Sequence, residues 1–211
     1  MDPRPTRSRR KEARPAEVLA AALDCFAVTG FAATRMEDIA ARAGVSKGTV
    51  YLYYPSKQAI FEALVQNSLV PRIAQIETAL AAFPGSATDR LRLFASVLGN
   101  TIAEPRLVAI PKLVMAEAGN FPDMARFYRR EVVGRGLALV GGILRQGVEA
   151  GEFRPLDPAI TARLFMAPLM LVAIWQTTFA PVEEQPIPPD QILSQHLSLF
   201  LASIRAPGGS P

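Results

Sequence analysis

Residues 34–51 read Thr34-Arg-Met-Glu-Asp-Ile-Ala-Ala-Arg-Ala-Gly-Val-Ser-Lys-Gly-Thr-Val-Tyr51. Two short amphipathic segments flank Gly44, which accepts the positive φ of a tight turn without a Cβ penalty. Ile39, Ala40 and Ala43 on the first segment, and Val45 and Val50 around the second, are small or branched enough for steep, close helix packing. Thr34 is placed to N-cap the first helix, with Glu37 at the capping-box spacing. Ser46 is placed to cap the second. The first turn of that second helix then presents Lys47, Gly48, Thr49 and Tyr51 outward. A cation, a small residue, a hydroxyl and a phenol together suit a recognition helix that enters the DNA major groove. An ordinary αα-corner with a glycine turn shares part of this pattern; the two caps, the Ala/Gly/Val spacing and the charge described next favour the helix-turn-helix.

Outward on the N-terminal side, residues 1–14 hold Arg4, Arg7, Arg9, Arg10, Lys11 and Arg14 against Asp2 and Glu12. The chain of 211 residues has a net charge of +4, and all of that excess lies in this arm. A solvated tail and a polyanion-binding arm are both consistent with it. Leu19, Ala22, Leu23 and Phe26 follow helical spacing, and Gly30 ends that helix. On the C-terminal side, Pro55 stops the recognition helix and Ser56 caps a long fourth helix to about Ala82, kinked at Pro71. Phe83-Pro84-Gly85-Ser86 is a break. Further helices are expected over about 87–103, 105–118, 122–150, 157–180 and 189–205.

No alternating β pattern and no internal repeat are present. The expectation is an all-α fold of about nine helices. Residues 1–14 form a disordered basic arm, 15–57 a three-helix DNA-binding domain with its motif at about 34–54, 58–205 a helical body, and 206–211 a disordered tail.

Several function classes are excluded by composition. Half of the residues are hydrophobic, too many for global disorder. Cys25 is the single cysteine and His196 the single histidine, so no disulfide framework, metal site or cofactor is expected. No Gly-x-Ser-x-Gly elbow, phosphate loop or His-Glu-x-x-His appears, which leaves an esterase built on His196 without a marked serine. The longest apolar run, Leu164 to Trp175, covers roughly 18 Å as a helix against a hydrocarbon core of about 30 Å. With no apolar signal segment after the basic arm, a cytoplasmic setting is expected, without membrane partners.

The stretch from about Ala16 to Leu64 resembles the DNA-binding domain of TetR-type (TetR/AcrR) transcriptional regulators. The resemblance is carried by Ala21-Ala22, Phe26, Gly30-Phe31, Thr34, Ile39-Ala40, Ala43-Gly44-Val45-Ser46, Gly48, Tyr51, Tyr54, Lys57 and Phe61. Tyr54 is a small departure, since Phe is more usual there. The rest of the chain matches only as an all-helical body of the usual length. The resemblance implies a homodimer that binds double-stranded DNA at an inverted repeat, a repressor associated with the nucleoid and released by a small molecule held in the body. By position it implies that Lys47, Thr49, Tyr51 and Tyr53 face DNA beyond the cap Ser46. Gly48 would let the backbone approach, Arg35 and Lys57 would hold phosphates, and Val50 and Tyr54 would be core. Each has a plain alternative: Tyr51 packed on the first helix, Lys57 as a lysine of the capping turn, Arg35 simply in solvent.

In the body, residues 157–180 are apolar on nearly every side, and the last helix carries a broad stripe. Phe165, Leu169, Val172, Leu193, Leu197, Phe200 and Ile204 are the candidate dimer contacts, with His196 beside them. Phe94, Leu98, Met115, Phe127, Met166, Pro168 and Trp175 are the candidate effector pocket. Few charged groups lie among them, so a small apolar effector is expected. Arg163 and Glu117 are possible polar anchors. The rival reading is a helical interaction or membrane-surface module without sequence preference.

Overall fold

The structure, a computed structural model, describes residues 7–207, with side chains from Pro15 onward. Eleven α-helical segments lie in that range: α1 (Arg7–Ala33), α2 (Met36–Arg42), α3 (Lys47–Tyr53), α4 (Lys57–Ser68), α5 (Val70–Ala82), α6 (Ala87–Ile102), α7 (Pro105–Glu117), α8 (Pro122–Tyr128), α9 (Gly134–Glu149), α10 (Pro158–Thr178) and α11 (Pro189–Ile204). Counting α4 and α5, and α8 and α9, as the single sequence segments expected for them, these correspond to the nine helices expected. Among the described residues the only β pairing is an isolated bridge between Phe153 and Arg205.

Three local expectations need correcting. The helix of the first segment begins at Arg7, so the backbone of residues 7–14 is helical where an irregular arm was expected. Residues 1–6, and 208–211 of the expected tail, lie outside the described residues. The long fourth helix divides at Leu69, two residues before Pro71, because a proline ring blocks the carbonyl four residues back and has no N–H to bond it. The expected helix 122–150 contains a π-helical turn, Arg129–Val133. A Cβ on Gly134, just past it, would meet the Arg129 carbonyl oxygen at 3.0 Å. Glycine is the residue that fits there.

The chain forms two compact units, Met1–Ser68 with Ala109–Tyr128, and Leu69–Val108 with Arg129–Pro211. This revises the expected boundary at residue 57. α4, the end of α7 and α8 belong with the helix-turn-helix, because Ile60, Phe61, Leu64, Ile110 and Met124 are buried with Phe26 and Ile39. Phe31 anchors this core through ring contacts with Phe26 at 5.1 Å, Phe121 at 4.8 Å and Phe61 at 6.4 Å.

The second unit packs α5, α6, α9, α10 and α11 around Leu91, Phe94, Val140, Leu144, Phe165 and Leu169. The N-terminus of α6 is closed by Ser86, which accepts from Asp89 N–H, and by Glu152, which accepts from the amides of Ala87 and Thr88 at 3.0 and 3.1 Å. α10 and α11 are fastened by His196, whose Nε2 lies 3.0 Å from the Phe165 carbonyl oxygen and whose ring clusters with those of Phe165 and Phe200.

The run-length argument against a membrane-spanning helix also fails. Pro15–Ala33 and Pro158–Thr178 are each long and apolar enough to cross a bilayer by length and composition. The unbroken run stops at Arg163, whereas the whole helix tolerates that single charge. One face of each is nevertheless buried, through Val18, Ala22 and Phe26 in the first and Ala162, Phe165, Leu169 and Val172 in the second.

Gly147 on α9 packs directly under the buried ring of Phe153, and a Cβ there would also come within 3.0 Å of Ala87 Cβ. Gly147→Ala is therefore expected to lower stability by about 1–3 kcal/mol through overpacking, despite the better helix propensity of alanine; a thermal melt equal to the parent protein's would contradict this.

Candidate nucleic-acid interface

The motif is built on the kinked end of α1. Gly30 leaves the helix at φ +79°, as its position in the sequence suggests. The three residues that follow carry backbone groups that need partners, and side chains from three directions supply them. Glu117, at the end of α7 and only 9% exposed, accepts from the Ala32 amide at 3.1 Å. Lys57 Nζ donates to the carbonyls of Phe31 and Ala32 at 2.6 and 2.9 Å and sits 5.0 Å from the Phe31 ring centre. Thr34, 1% exposed, donates its hydroxyl to the Gly30 carbonyl at 2.6 Å and pairs with the Thr29 hydroxyl at 2.7 Å.

Thr34 is thus not the cap of α2. Its hydroxyl is consumed behind the kink, and the N-cap is Arg35, with the Asp38 carboxylate accepting from the Arg35 amide at 2.8 Å. The capping-box spacing was right but one residue early. Gly44 turns the chain at φ +66°. α2 is tied to α1 by Arg42, which donates through Nε and Nη2 to Asp24 at 3.1 and 2.8 Å.

α3 starts as expected: Ser46 Oγ accepts from the Thr49 amide at 3.1 Å and pairs with the Thr49 hydroxyl at 2.8 Å. Val50 is fully buried, and Tyr54 is half-buried with its hydroxyl 3.4 Å from the Pro15 carbonyl. Burial pushes the Tyr54 phenol above its ordinary pKa. The outward face carries Ser46, Lys47 and Gly48, all exposed, with Thr49 and Tyr53 half-buried beside them. A Cβ at Gly48 would touch nothing closer than Ser46 Oγ at 3.9 Å, so its face is open. Tyr51 is 45% exposed, not packed away on α1. Lys47 Nζ lies 5.7 Å from the Tyr51 ring centre and forms an ion pair with Glu37 of α2. The bond to Lys47 holds the Glu37 carboxyl below its usual range, and the bond to Glu37 raises the lysine.

Of the two flanking cations, Arg35 is exposed at the α2 cap. Lys57 is half-buried and committed to the α1 carbonyls, the plain alternative for it; burial lowers its pKa, with Glu117 opposing. One residue escaped the sequence reading. Leu52 is 75% exposed on α3, one turn from Gly48, and an apolar side chain on the outward face of a groove-reading helix was a signal available in the sequence.

The residues expected in the body fare less well. Phe165, Leu169, Val172, Phe200 and Ile204 are buried core of their own unit, and Leu193 and Leu197 pack against that core. The first five do not face outward, and Leu193 and Leu197 are partly exposed. Composition could not separate the two faces of a helix that is apolar all round. The outward stripe of α10 is Ile160, Leu164, Ala167, Leu171 and Trp175. Of the expected effector residues, Phe94 is core against Phe165, Met115 is exposed, and Trp175 is exposed and donates to Glu183 at 2.7 Å. Leu98, Met166 and Pro168 are half-buried in the second unit, and Phe127 is half-buried in the first. No single unit brings the seven together.

A capped three-helix head with a short outward helix after a glycine turn defines a helix-turn-helix DNA-binding regulator. The chain matches the family of bacterial regulatory proteins of the tetR type over residues 18–64, and the AefR-like transcriptional repressor C-terminal domain over residues 89–203. It is 32% identical over 154 residues to the transcriptional regulator RutR of Escherichia coli, covering 72% of this chain and 70% of that protein. It is 23% identical to EthR of Mycolicibacterium smegmatis over 96% of this chain and 92% of the other. Among solved structures, the ketosteroid transcriptional regulator KstR2 of Mycobacterium tuberculosis superposes with TM-score 0.73 at 25% identity, covering 92% of this chain and 96% of that one. FadR of Bacillus subtilis in complex with stearoyl-CoA superposes with TM-score 0.67 at 19% identity, covering 90% and 99%. The chain belongs to the tetR family: it is a DNA-binding transcriptional regulator and not an enzyme. Bacterial regulators of this family are soluble cytoplasmic DNA-binding proteins.

The Glu117 contact makes a direct prediction. Glu117→Leu leaves the Ala32 amide without an acceptor, and is expected to cost about 1–3 kcal/mol and to speed hydrogen exchange at residues 31–35. Glu117→Gln, which keeps an acceptor oxygen, is expected to cost less; equal protection in both variants would remove Glu117 from this role.

Proposed function

We propose that the protein is a repressor that binds an inverted-repeat operator on the nucleoid as a homodimer and is released by a small molecule held in its second unit. The observation that carries the DNA reading is the outward face of α3. Lys47 and Tyr51 supply phosphate contacts, Gly48 allows close approach, and Thr49 and Leu52 reach base edges, Leu52 through apolar contact with a thymine methyl. Tyr53 and Arg35 add phosphate contacts at the flanks. Lys57, with two of its three N–H donors spent on α1, has one left for a phosphate. The basic residues 1–14 supply further sequence-independent attraction. The rival module without sequence preference has no need of a capped helix aimed outward.

Selection of bound duplexes from a random pool, followed by gel shifts at moderate salt, tests this. An inverted-repeat motif is expected. Lys47→Ala and Tyr51→Phe are each expected to weaken operator binding by about tenfold, the worth of one charge-assisted contact, with unchanged thermal melts. A pool that returns no preferred sequence contradicts the reading.

The dimer reading is supported by the outward stripe of α10. Leu164 is 63% exposed and Leu171 57% exposed, on a face that continues through Ile160, Ala167 and Trp175. Apolar surface of that extent is a contact surface, and two-fold symmetry would present two α3 helices to half-sites about one DNA turn apart. The double variant Leu164→Glu with Leu171→Glu is expected to sediment as a folded monomer at micromolar concentration and to lose preference for the inverted repeat over a single half-site. A dimer of unchanged stability would move the interface elsewhere.

A further inference from the structure

Between α9 and the first turns of α10 lies a cleft of about 480 Å³, within the range of small-molecule sites. Leu137 and Ala138 of α9 and Pro158 at the start of α10 give it an apolar lining. Its charged residues are Arg129, Arg145 and Arg163, all exposed. Four other arginines of this unit are paired with carboxylates, Arg72 with Glu104, Arg92 with Asp89, Arg130 with Glu131 and Arg135 with Glu77, while Arg90 donates to Gln146 and the Phe83 carbonyl and Arg154 to the Ser203 carbonyl. None of the three in the cleft has a carboxylate partner among the described residues; Arg163 donates only to the Ala159 carbonyl of its own helix, at 2.7 Å. Asp157, beside the cleft, is occupied as the N-cap of α10, accepting from Ala159 and Ile160. Its single charge leaves the cation excess in place.

We propose that this cleft binds a small amphipathic anion, with an apolar body on the lining and a carboxylate or phosphate among the three guanidiniums. Guanidinium forks match both oxyanions bidentately. The local backbone fits the role. Arg129 opens the π-helical turn, a feature frequent at functional sites. Arg129 also directly follows Tyr128, where the chain leaves the unit that carries the helix-turn-helix, so a ligand gripping Arg129 acts on the chain at that point. The assignment rests on the ligand-responsive reading above and replaces the apolar effector expected from the sequence by an anionic one.

Calorimetry on the full-length protein with decyl phosphate and decanoate, below their micelle concentrations, tests it against decanol and decyltrimethylammonium. Saturable binding of one anion per chain is expected, with the neutral and cationic probes at least about tenfold weaker. The triple variant Arg129→Gln, Arg145→Gln, Arg163→Gln is expected to lose that preference while keeping its thermal melt, and Arg92→Gln, outside the cleft, to keep it. Equal binding of decanol, or binding unchanged in the triple variant, overturns the proposal. Gel shifts on the selected operator separate the two readings. Release by decyl phosphate from the parent but not from the triple variant supports the effector assignment. Release that survives in the triple variant overturns it and leaves the regulator intact. Failure to bind any specific duplex overturns the regulator reading without touching the calorimetric result.

Discussion

The helix-turn-helix depends on how the chain is held where α1 ends. Gly30 breaks the helix, and the residues after it would expose amides and carbonyls with no helical partner. A carboxylate from α7 accepts from the Ala32 amide, an ammonium from the start of α4 donates to the Phe31 and Ala32 carbonyls, and the Thr34 hydroxyl donates to the carbonyl of Gly30 itself. Because the carboxylate and the ammonium come from residues far from this junction in sequence, the direction in which α2 departs is fixed by tertiary contacts and not by the turn alone. Phe31, ringed by Phe26, Phe61 and Phe121, provides the apolar half of the same anchor. α3 inherits its orientation from α2 across Gly44, so the outward face of the recognition helix traces back to this junction.

Much of this was legible in the sequence. The glycines at 30 and 44, the Ser46 cap, the buried Val50 and the breaks at proline each follow from local rules, and local rules act here without competition. The Thr34 cap failed for a physical reason. A hydroxyl offered to two possible acceptors took the Gly30 carbonyl behind it, in a buried setting, and left Asp38 to close the helix from the other side. The role of Lys57 was open between phosphate contact and helix end because sequence spacing says nothing of a carbonyl twenty-six residues earlier. Glu117 is the same kind of case across an even longer interval.

In the second unit, periodicity located the helices well but could not orient them. α10 is apolar around its whole circumference, so its core face, built on Phe165, Leu169 and Val172, and its outer stripe, built on Leu164 and Leu171, look alike in composition. The π-helical turn was invisible for a related reason: it inserts no proline, and its charged residues Arg129, Arg130 and Glu131 read like an ordinary exposed stretch of helix. Only the glycine at 134 marks it, and a glycine alone does not name a turn. The arginines of the cleft lie far apart in sequence, at 129, 145 and 163, and only the packing of α9 on α10 brings them together.

The pairing of Lys47 with Glu37 has a thermodynamic consequence for the search along a chromosome. A free surface lysine releases a condensed counterion from the duplex when it meets a phosphate, and that release makes affinity fall steeply as ionic strength rises. Here the ammonium arrives with its own tethered anion. Exchanging Glu37 for a phosphate swaps one partner for another, and only a well-placed phosphate makes the swap favourable. With Lys47 placed on a phosphate as proposed, loosely aligned stretches of DNA would therefore gain little from this residue.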